Sequence, residues 1–494
     1  MNRSVHSLRS NLTTVLLAVA TTLNATWVST LQADDRPNII VILCDDLGYG
    51  DLECYGHPHI KTPNLNALAE SGIRLTNCYS AAPVCSPSRV GLLTGRSPNR
   101  AGVYDWIPAS NGQPRPDGRE QVHMRSEEVT IAHLLRDAGY ATCMSGKWHC
   151  NAQFNSSAQP QPGDAGFDHW FGTQNNASPS HENPNNYVRN GNKVGELTGF
   201  SCQLASDEAL NWIEKHNSEN SDQPFFVYLA FHEPHEPVAS PSTLVDIYRE
   251  AASEEDEAQY FANVANVDAA VGKVVKKLED LKLRDNTLII FTSDNGPETL
   301  KRYSRANRSW GRPTPLRGMK LWTTDAGFRV AGIMSWPRQI DPGQTGDEVV
   351  SSLDFLPTFC HLAKRDVPDQ RELDGTDLRP LFSGRQVERA KPLVWCYYNS
   401  INEHRAAMRF GEWKMLAKLD GGKYKKHSNV NSKNSDQVAA LKLTDFELYR
   451  ISADISESED LFGEVAESDE LRQVFEEQYS NLLDDYHVWE IKTN

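Results

Sequence analysis

Three apolar, β-branched runs in this chain each stop at side chains of the kind that bind metals or move protons. The first, Asn38-Ile39-Ile40-Val41-Ile42-Leu43-Cys44, ends at Asp45-Asp46. The second, Pro224-Phe225-Phe226-Val227-Tyr228-Leu229-Ala230-Phe231, ends at His232-Glu233-Pro234-His235, and the third, Asn286-Thr287-Leu288-Ile289-Ile290-Phe291-Thr292-Ser293, ends at Asp294-Asn295-Gly296. A strand apolar at nearly every position is buried on both faces, as in a parallel sheet covered by helices. Helical periods lie between the runs, at residues 130–138, 204–215 and 259–281; in the last, Val264, Val267, Ala270, Val271, Val274, Val275 and Leu278 recur on one side. The alternation predicts an α/β fold with a large, mainly parallel central sheet flanked by helices. Such sheets bind ligands beyond the carboxyl ends of their strands, so the three polar ends are candidates for one shared site.

Residues 151–164, 173–196 and 299–316, rich in Asn, Pro, Ser and Gly, read as loops. After about Gly384 the segments shorten, with strand-like stretches at 393–398, 405–410, 413–419 and 446–449 and a polar loop at 423–437. They predict a smaller C-terminal α+β subdomain over 385–494, containing an antiparallel sheet, behind a catalytic domain over 34–384. Arg3 and Arg9 precede a mostly apolar stretch, 12–23, and Ser29-Thr30-Leu31-Gln32-Ala33 supplies a small residue for cleavage, which predicts a signal peptide over 1–33. The mature chain is therefore expected to be exported, periplasmic or secreted. No later run is apolar enough to span a bilayer, so no membrane span is expected.

Nine cysteines, an odd number in so long a chain, do not suggest a disulfide framework and leave one for another task. The net charge of -16 argues against a nucleic-acid partner. It also means that an anionic substrate needs basic residues gathered locally. Asp45, Asp46, Asp294 and Asn295 offer only oxygen ligands, which suit calcium, or magnesium less well, rather than zinc. Taken alone, either pair reads equally as a turn or a helix cap.

The most informative segment is Cys85-Ser86-Pro87-Ser88-Arg89, followed by Thr94-Gly95-Arg96. It resembles the signature of the formylglycine-dependent type I sulfatases of the alkaline phosphatase superfamily. Gly139-Tyr140-Ala141-Thr142 with Gly146-Lys147-Trp148-His149, Pro234-His235-Glu236-Pro237 and Leu316-Arg317-Gly318-Met319-Lys320 resemble further family segments, as do Ser352-Leu353-Asp354-Phe355-Leu356-Pro357-Thr358 and Gly411-Glu412-Trp413-Lys414. The resemblance implies an alkaline-phosphatase-like fold and an arylsulfatase-like sulfuric ester hydrolase. In this family a formylglycine-generating enzyme oxidises the cysteine, here Cys85, before folding completes. Asp45, Asp46, Asp294 and Asn295, with the modified Cys85, would hold one calcium ion. Lys147 would bind sulfate oxygens, His149 would hold and later deprotonate the formylglycine hydrate, and His235 and Lys320 would face the leaving-group oxygen; Arg89 belongs to the same catalytic set.

An aldehyde hydrate suits this task, because one hydroxyl attacks sulfur and the other, once deprotonated, expels sulfate and regenerates the aldehyde. Export and the family point to a sulfated carbohydrate as substrate. Asp105 and Trp106, with the loop containing His181, offer an aromatic face and hydrogen-bonding groups for sugar, and equally read as packing and solvated loop. Two alternatives stand beside this expectation: a phosphonate or phosphate ester hydrolase of the same superfamily, which often has Asp-His where this chain has Asp294-Asn295, and a catalytically silent sulfated-glycan-binding protein. The chain departs from the family where Thr324-Asp325-Ala326-Gly327-Phe328-Arg329 stands in place of a Glu-Gly-Gly segment before an Arg, and where Cys150 replaces a leucine.

Overall fold

A computed structural model describes residues 35–423 and 425–491. The expected signal peptide, residues 1–33, lies outside the described residues. Seven strands carry the large sheet: β1 Asn38–Asp45, β2 Ile73–Tyr79, β3 Ala141–Lys147, β4 His169–Thr173, β5 Phe225–Pro234, β6 Thr287–Ser293 and β7 Arg329–Ser335. The spatial order is β2-β7-β6-β1-β5-β3-β4, and short strands at both edges bring the total to eleven. The five strands from β6 to β4 run parallel. β7 is antiparallel to both β6 and β2, so the mainly parallel sheet expected from the sequence carries an antiparallel flank.

The main helices are α1 Pro63–Glu70, α2 Cys85–Thr94, α3 Ile131–Asp137, α4 Ser201–Glu219, α5 Glu255–Asp280, α6 Phe355–Leu362 and α7 Ser468–Asp484. Side chains alternate across a strand, and β1 shows why its run had to be apolar throughout. Ile39, Val41 and Leu43 pack with Val90 and Leu93 of α2, Leu135 of α3 and Phe359 of α6. Ile40 and Ile42 pack on the other face with Leu65 of α1, Ile213 of α4 and Val267 and Val271 of α5. Each such fully buried aliphatic side chain contributes about 1.5–3 kcal/mol. A charge anywhere between Ile39 and Leu43 would be trapped under a helix.

Polar residues set the ends. The Thr130 hydroxyl accepts from the His133 amide at 3.1 Å, so α3 starts one residue inside the periodic pattern. β5 runs on past Phe231 because His232 and Glu233, though polar, are buried and partnered by Thr173 and Ser201. The stretch read as one loop, 173–196, contains a small hairpin, Val188–Arg189 with Asn192–Lys193. Asn190 and Gly191, with φ of 46° and 85°, form its turn, and the Asn-Gly pair is the sequence signal for it.

The shorter C-terminal segments form a second, antiparallel sheet: β8 Leu393–Cys396, β9 Ala406–Phe410, β10 Trp413–Leu419 and β11 Leu443–Arg450, in that order. One face takes α7 through Leu471, Phe475 and Leu482. The other meets the large sheet's loops, where Trp395, Ala407 and Leu416 pack with Tyr79, Phe328 and Leu353. The polar stretch expected at 423–437 also holds the start of a short helix, Ser435–Ala439. Among the described residues, no helix is long and apolar enough to cross a membrane.

Candidate active site

The carboxyl ends of the parallel strands deliver the chemistry. β1 hands over Asp45 and then Asp46, β3 ends at Lys147 just before His149, β5 runs into His235, and β6 is followed by Asp294 and Asn295. Cys85 opens α2, where the aligned peptide dipoles favour negative charge. One ligand atom each from Asp45, Asp46, Cys85 and His235 lies within 4.8 Å of the others, and all four residues are buried. The backbone is strained at this point: Asp46, His149 and Leu321 hold φ of 63°, 53° and 67°, which side-chain-bearing residues rarely adopt. Close packing adds to the constraint, because a Cβ at Gly296 would sit 1.7 Å from the Ala326 carbonyl oxygen.

Cations surround the carboxylates. Lys147 Nζ lies 2.5 Å from Asp45 Oδ2, and Lys320 Nζ lies 2.7 Å from Asp46 Oδ2. Arg89 donates through Nε to Asp294 Oδ2 at 2.8 Å and through Nη1 to the Lys147 carbonyl at 3.0 Å. The Asn295 amide donates to Asp46 Oδ1 at 2.6 Å. Burial works to raise Asp45, but Lys147, His235, Arg89 and Lys320 hold it well below the usual carboxylate range. Asp294, buried and facing Asp45, is pushed up to about 7. A carboxyl held that high is short of positive charge. Asp45 Oδ1 and Asn295 Oδ1 are buried without a hydrogen-bond partner. Unsatisfied buried oxygens beside crowded carboxylates are what a divalent cation would relieve, so these residues fit a metal centre.

Two ring orientations follow from their acceptors. His149 Nε2 lies 2.9 Å from the Ile107 carbonyl, which only accepts, so Nε2 carries the proton and Nδ1, buried and unpartnered, is left with its lone pair. Burial, with Lys147 and Arg89 nearby, holds this ring neutral. His235 Nδ1 lies 2.8 Å from the Glu236 carbonyl, leaving Nε2 facing the cluster 3.7 Å from Asp46 Oδ2. Cys85 itself, as a thiol, is pushed up to about 12 by burial and is a poor nucleophile in that form.

The structure thus gathers Cys85, Lys147, His149, His235 and Lys320 around Asp45 and Asp46, while Arg89 turns to Asp294. Asp294 lies outside the tightest group, its Oδ1 3.3 Å from the Asp46 amide. Asp105 is buried and accepts from Tyr397 Oη at 2.8 Å and Asn399 Nδ2 at 2.9 Å. Trp106 is 38% exposed with the Arg119 guanidinium 4.8 Å over its ring. His181 is 1% exposed and faces Asn263 Nδ2 at 3.2 Å, behind the end of β5. Cys150 is buried with Sγ 3.3 Å from the Trp148 carbonyl, a packing position. Sequence reasoning missed Tyr397, which packs with Val84, Cys85 and Leu321, and Tyr303, whose hydroxyl bonds to Glu236 beside His235. Neither carried a local signal.

The sulfatase family model matches residues 37–365, and the model described as N-sulphoglucosamine sulphohydrolase, C-terminal, matches 319–484. The chain is 35% identical to arylsulfatase A of Homo sapiens over 474 residues, covering 87% of this chain and 84% of that protein. It is 33% identical to N-acetylgalactosamine-6-sulfatase of Sus scrofa over 424 residues, covering 78% and 77% of the two chains. Among solved structures, Ps i-CgsB in complex with k-i-k-neocarrahexaose aligns with a TM-score of 0.73 at 28% identity, covering 93% of this chain and 95% of that one. With its motifs, fold and strand-end cluster in agreement, this chain belongs to the sulfatase family and is a sulfatase hydrolase.

Proposed function

We propose that this sulfatase releases inorganic sulfate from a sulfated carbohydrate, with the hydrate of residue 85, oxidised from cysteine to formylglycine, as the nucleophile and one calcium ion held by Asp45, Asp46, Asp294 and Asn295 together with residue 85. The observation that carries this reading is the buried convergence of Asp45, Asp46, Cys85 and His235. When bound, calcium would polarise sulfate oxygens and acidify the attacking hydroxyl. Lys147 neutralises charge on the sulfate as it shifts toward the leaving oxygen. His149 Nδ1, bare and neutral, takes the proton whose loss lets the second hydroxyl of the hydrate expel sulfate. His235 or Lys320 supplies the proton that a departing sugar alkoxide needs.

A sugar substrate is supported by the exposed Trp106 face, braced by Arg119, and by relatives whose names specify N-acetylgalactosamine 6-sulfate hydrolysis or a neocarrahexaose complex. Of the three residues expected to meet sugar, Trp106 is the one we assign to a contact; Asp105 and His181 are buried on protein partners and would act only by supporting the residues around the site. Residues 34–384 make the catalytic domain and 385–494 the smaller one. Maturation would need a formylglycine-generating enzyme, and the leader-like first 33 residues support export of the mature protein to the periplasm or beyond.

The test is expression in a host that makes formylglycine, mass spectrometry of the peptide spanning Cys85, and sulfate release from sulfated sugars with and without calcium. We expect the formylglycine mass, calcium-dependent release, and a loss of about 10⁴-fold or more for Cys85→Ala. Full conversion with turnover of phosphate or phosphonate esters alone would overturn the reading in favour of a different ester, and binding of sulfated glycan without turnover would make the protein a silent lectin.

A further inference from the structure

The departure at Thr324-Asp325-Ala326-Gly327-Phe328-Arg329 and the Gly411-Glu412-Trp413-Lys414 segment, unconnected in sequence, meet in the interior. Asp325 and Lys414 are both wholly buried, with Lys414 Nζ 2.7 Å from Asp325 Oδ1 and 2.7 Å from Glu457 Oε1. Glu457 Oε2 accepts from the Asp325 amide at 2.8 Å, so one turn is held by both its backbone and its side chain. Arg329 Nη1 and Tyr79 Oη take the second Asp325 oxygen at 3.0 and 3.3 Å. Lys414 Nζ also stands 4.7 Å from the centre of the Phe328 ring, whose other partner, Trp395, stacks on it at 4.1 Å.

This turn touches three segments of the active site. Just before it, the Lys320 amide donates to the Pro297 carbonyl at 2.9 Å and the Leu321 amide to the Pro83 carbonyl, two residues ahead of Cys85, at 2.8 Å. The Gly296 amide, next to Asn295, donates to the Gly327 carbonyl at 3.0 Å. The Ser80 amide, on the approach to Cys85, donates to the Phe328 carbonyl at 2.7 Å. The second sheet and the loop after β8 therefore reach the reacting groups through this charged buried contact and through uncharged ones, Trp395 Nε1 donating to the Ser80 carbonyl at 2.9 Å and the Ser400 hydroxyl and Ile401 amide donating to the Leu321 carbonyl, both at 3.1 Å.

We propose that Lys414 is a positioning residue for the leaving-group side of the reaction: it fixes Asp325, and through that turn sets the loop that presents Lys320. The proposal rests on the reading of Lys320 as a group that faces the departing oxygen. Lys320 must hold its ammonium within hydrogen-bond reach of that oxygen while bonded to Asp46, and a shift of about 1 Å in a positioned group costs on the order of 10²-fold in rate. Lys414 touches no substrate, and its effect should appear only where protonation of the leaving group limits turnover.

The matured enzyme is assayed on a nitrophenyl sulfate, whose leaving group departs without a proton, and on a sugar O-sulfate, whose leaving group needs one. Lys414→Met should lower kcat on the sugar sulfate about 10²-fold and on the aryl sulfate less than about 3-fold, with KM for both little changed. Lys414→Arg should restore much of the difference. Lys320→Ala should show the same discrimination, and Trp395→Phe, which loosens the same packing without touching a charge, should lower Tm and leave the ratio of the two kcat values alone. Equal losses on both esters for Lys414→Met, beside a discriminating Lys320→Ala, would overturn the proposal and leave Lys414 a packing residue. A Lys320→Ala enzyme that does not discriminate would instead remove the reading of Lys320 and the proposal with it. Should Lys414→Met fail to fold, Glu457→Gln carries the same comparison, with about 10-fold discrimination expected and equal losses again overturning it.

Discussion

Two of the buried clusters that pair opposite charges, one at the strand ends and one around Asp325, differ in what they leave unsatisfied. Around Asp45, Asp46 and Asp294, three cations are present, yet Asp45 Oδ1 and Asn295 Oδ1 accept no hydrogen bond, Asp45 Oδ1 meeting only the Arg89 guanidinium at 3.8 Å, and two aspartates titrate in opposite directions. Around Asp325, both carboxylate oxygens are engaged, and Lys414 sits between two carboxylates with its stem enclosed. Glu457 Oε1 meets Lys414 as a close ionic contact rather than an aligned hydrogen bond. Buried charge alone therefore does not mark a reactive site. Orphaned oxygens and three left-handed side-chain-bearing residues mark one, and closure of the network marks a clamp.

The sharpest way to break this contrast is to remove one lysine from each cluster. Lys414→Met should cost about 3–5 kcal/mol in unfolding, because it leaves Asp325 and Glu457 without the cation between them. Lys147→Met, measured by denaturant titration with calcium present, should cost less than half as much, since a bound cation can take over the charge of Asp45. Equal costs would show that both clusters are clamps. Next in size is the response to calcium itself. At a free concentration about 100 times the Kd it should stabilise the protein by about 2.7 kcal/mol. Asp45→Asn should abolish that gain, and Lys414→Met should keep it; the midpoint shift in thermal melts reads both.

The smallest effect sharpens the description of the clamp. Glu457 is raised to about 7 in the folded protein, by burial above all and by Asp325, from a reference value of 4.5. The folded chain thus keeps a proton that the unfolded chain has released, and the stability this provides is lost as pH rises from about 4.5 through 7. Asp325, held below its reference value of 3.8, adds no slope inside that window. Wild type should lose about 2 kcal/mol more than Glu457→Gln between pH 5 and 7. Parallel pH profiles for the two proteins would show that Glu457 is ionised throughout.

The central strands and the residues at their ends were legible in the sequence, because an apolar run that halts at Asp45-Asp46 or Asp294-Asn295 carries its own meaning. The flanking strands were less so. β2 reads Ile73-Arg74-Leu75-Thr76-Asn77-Cys78-Tyr79, half polar, since several of its residues are only partly buried. Ion partners were not legible at all. Arg89 meets Asp294 across 205 positions and Lys414 meets Asp325 across 89. Locally each of those lysines and arginines looks like a solvated charge, and only tertiary packing decides otherwise. His181 illustrates the converse: a histidine amid Asn and Pro reads as surface, yet it lies buried against Asn263.

Cys85 lies under Leu321 and Tyr397, and this arrangement has a consequence for timing. Those two side chains are synthesised roughly 240 and 310 residues after it, which at about 5–20 residues per second amounts to about 12 to 60 s. During that interval the sulfur is attached to an emerging chain whose covering does not yet exist. On the proposed maturation, the enzyme that oxidises Cys85 would work against a ribosomal clock rather than against a folded wall. The chain order of nucleophile first and covering residues last lets a deeply enclosed site still be visited once, early, from outside.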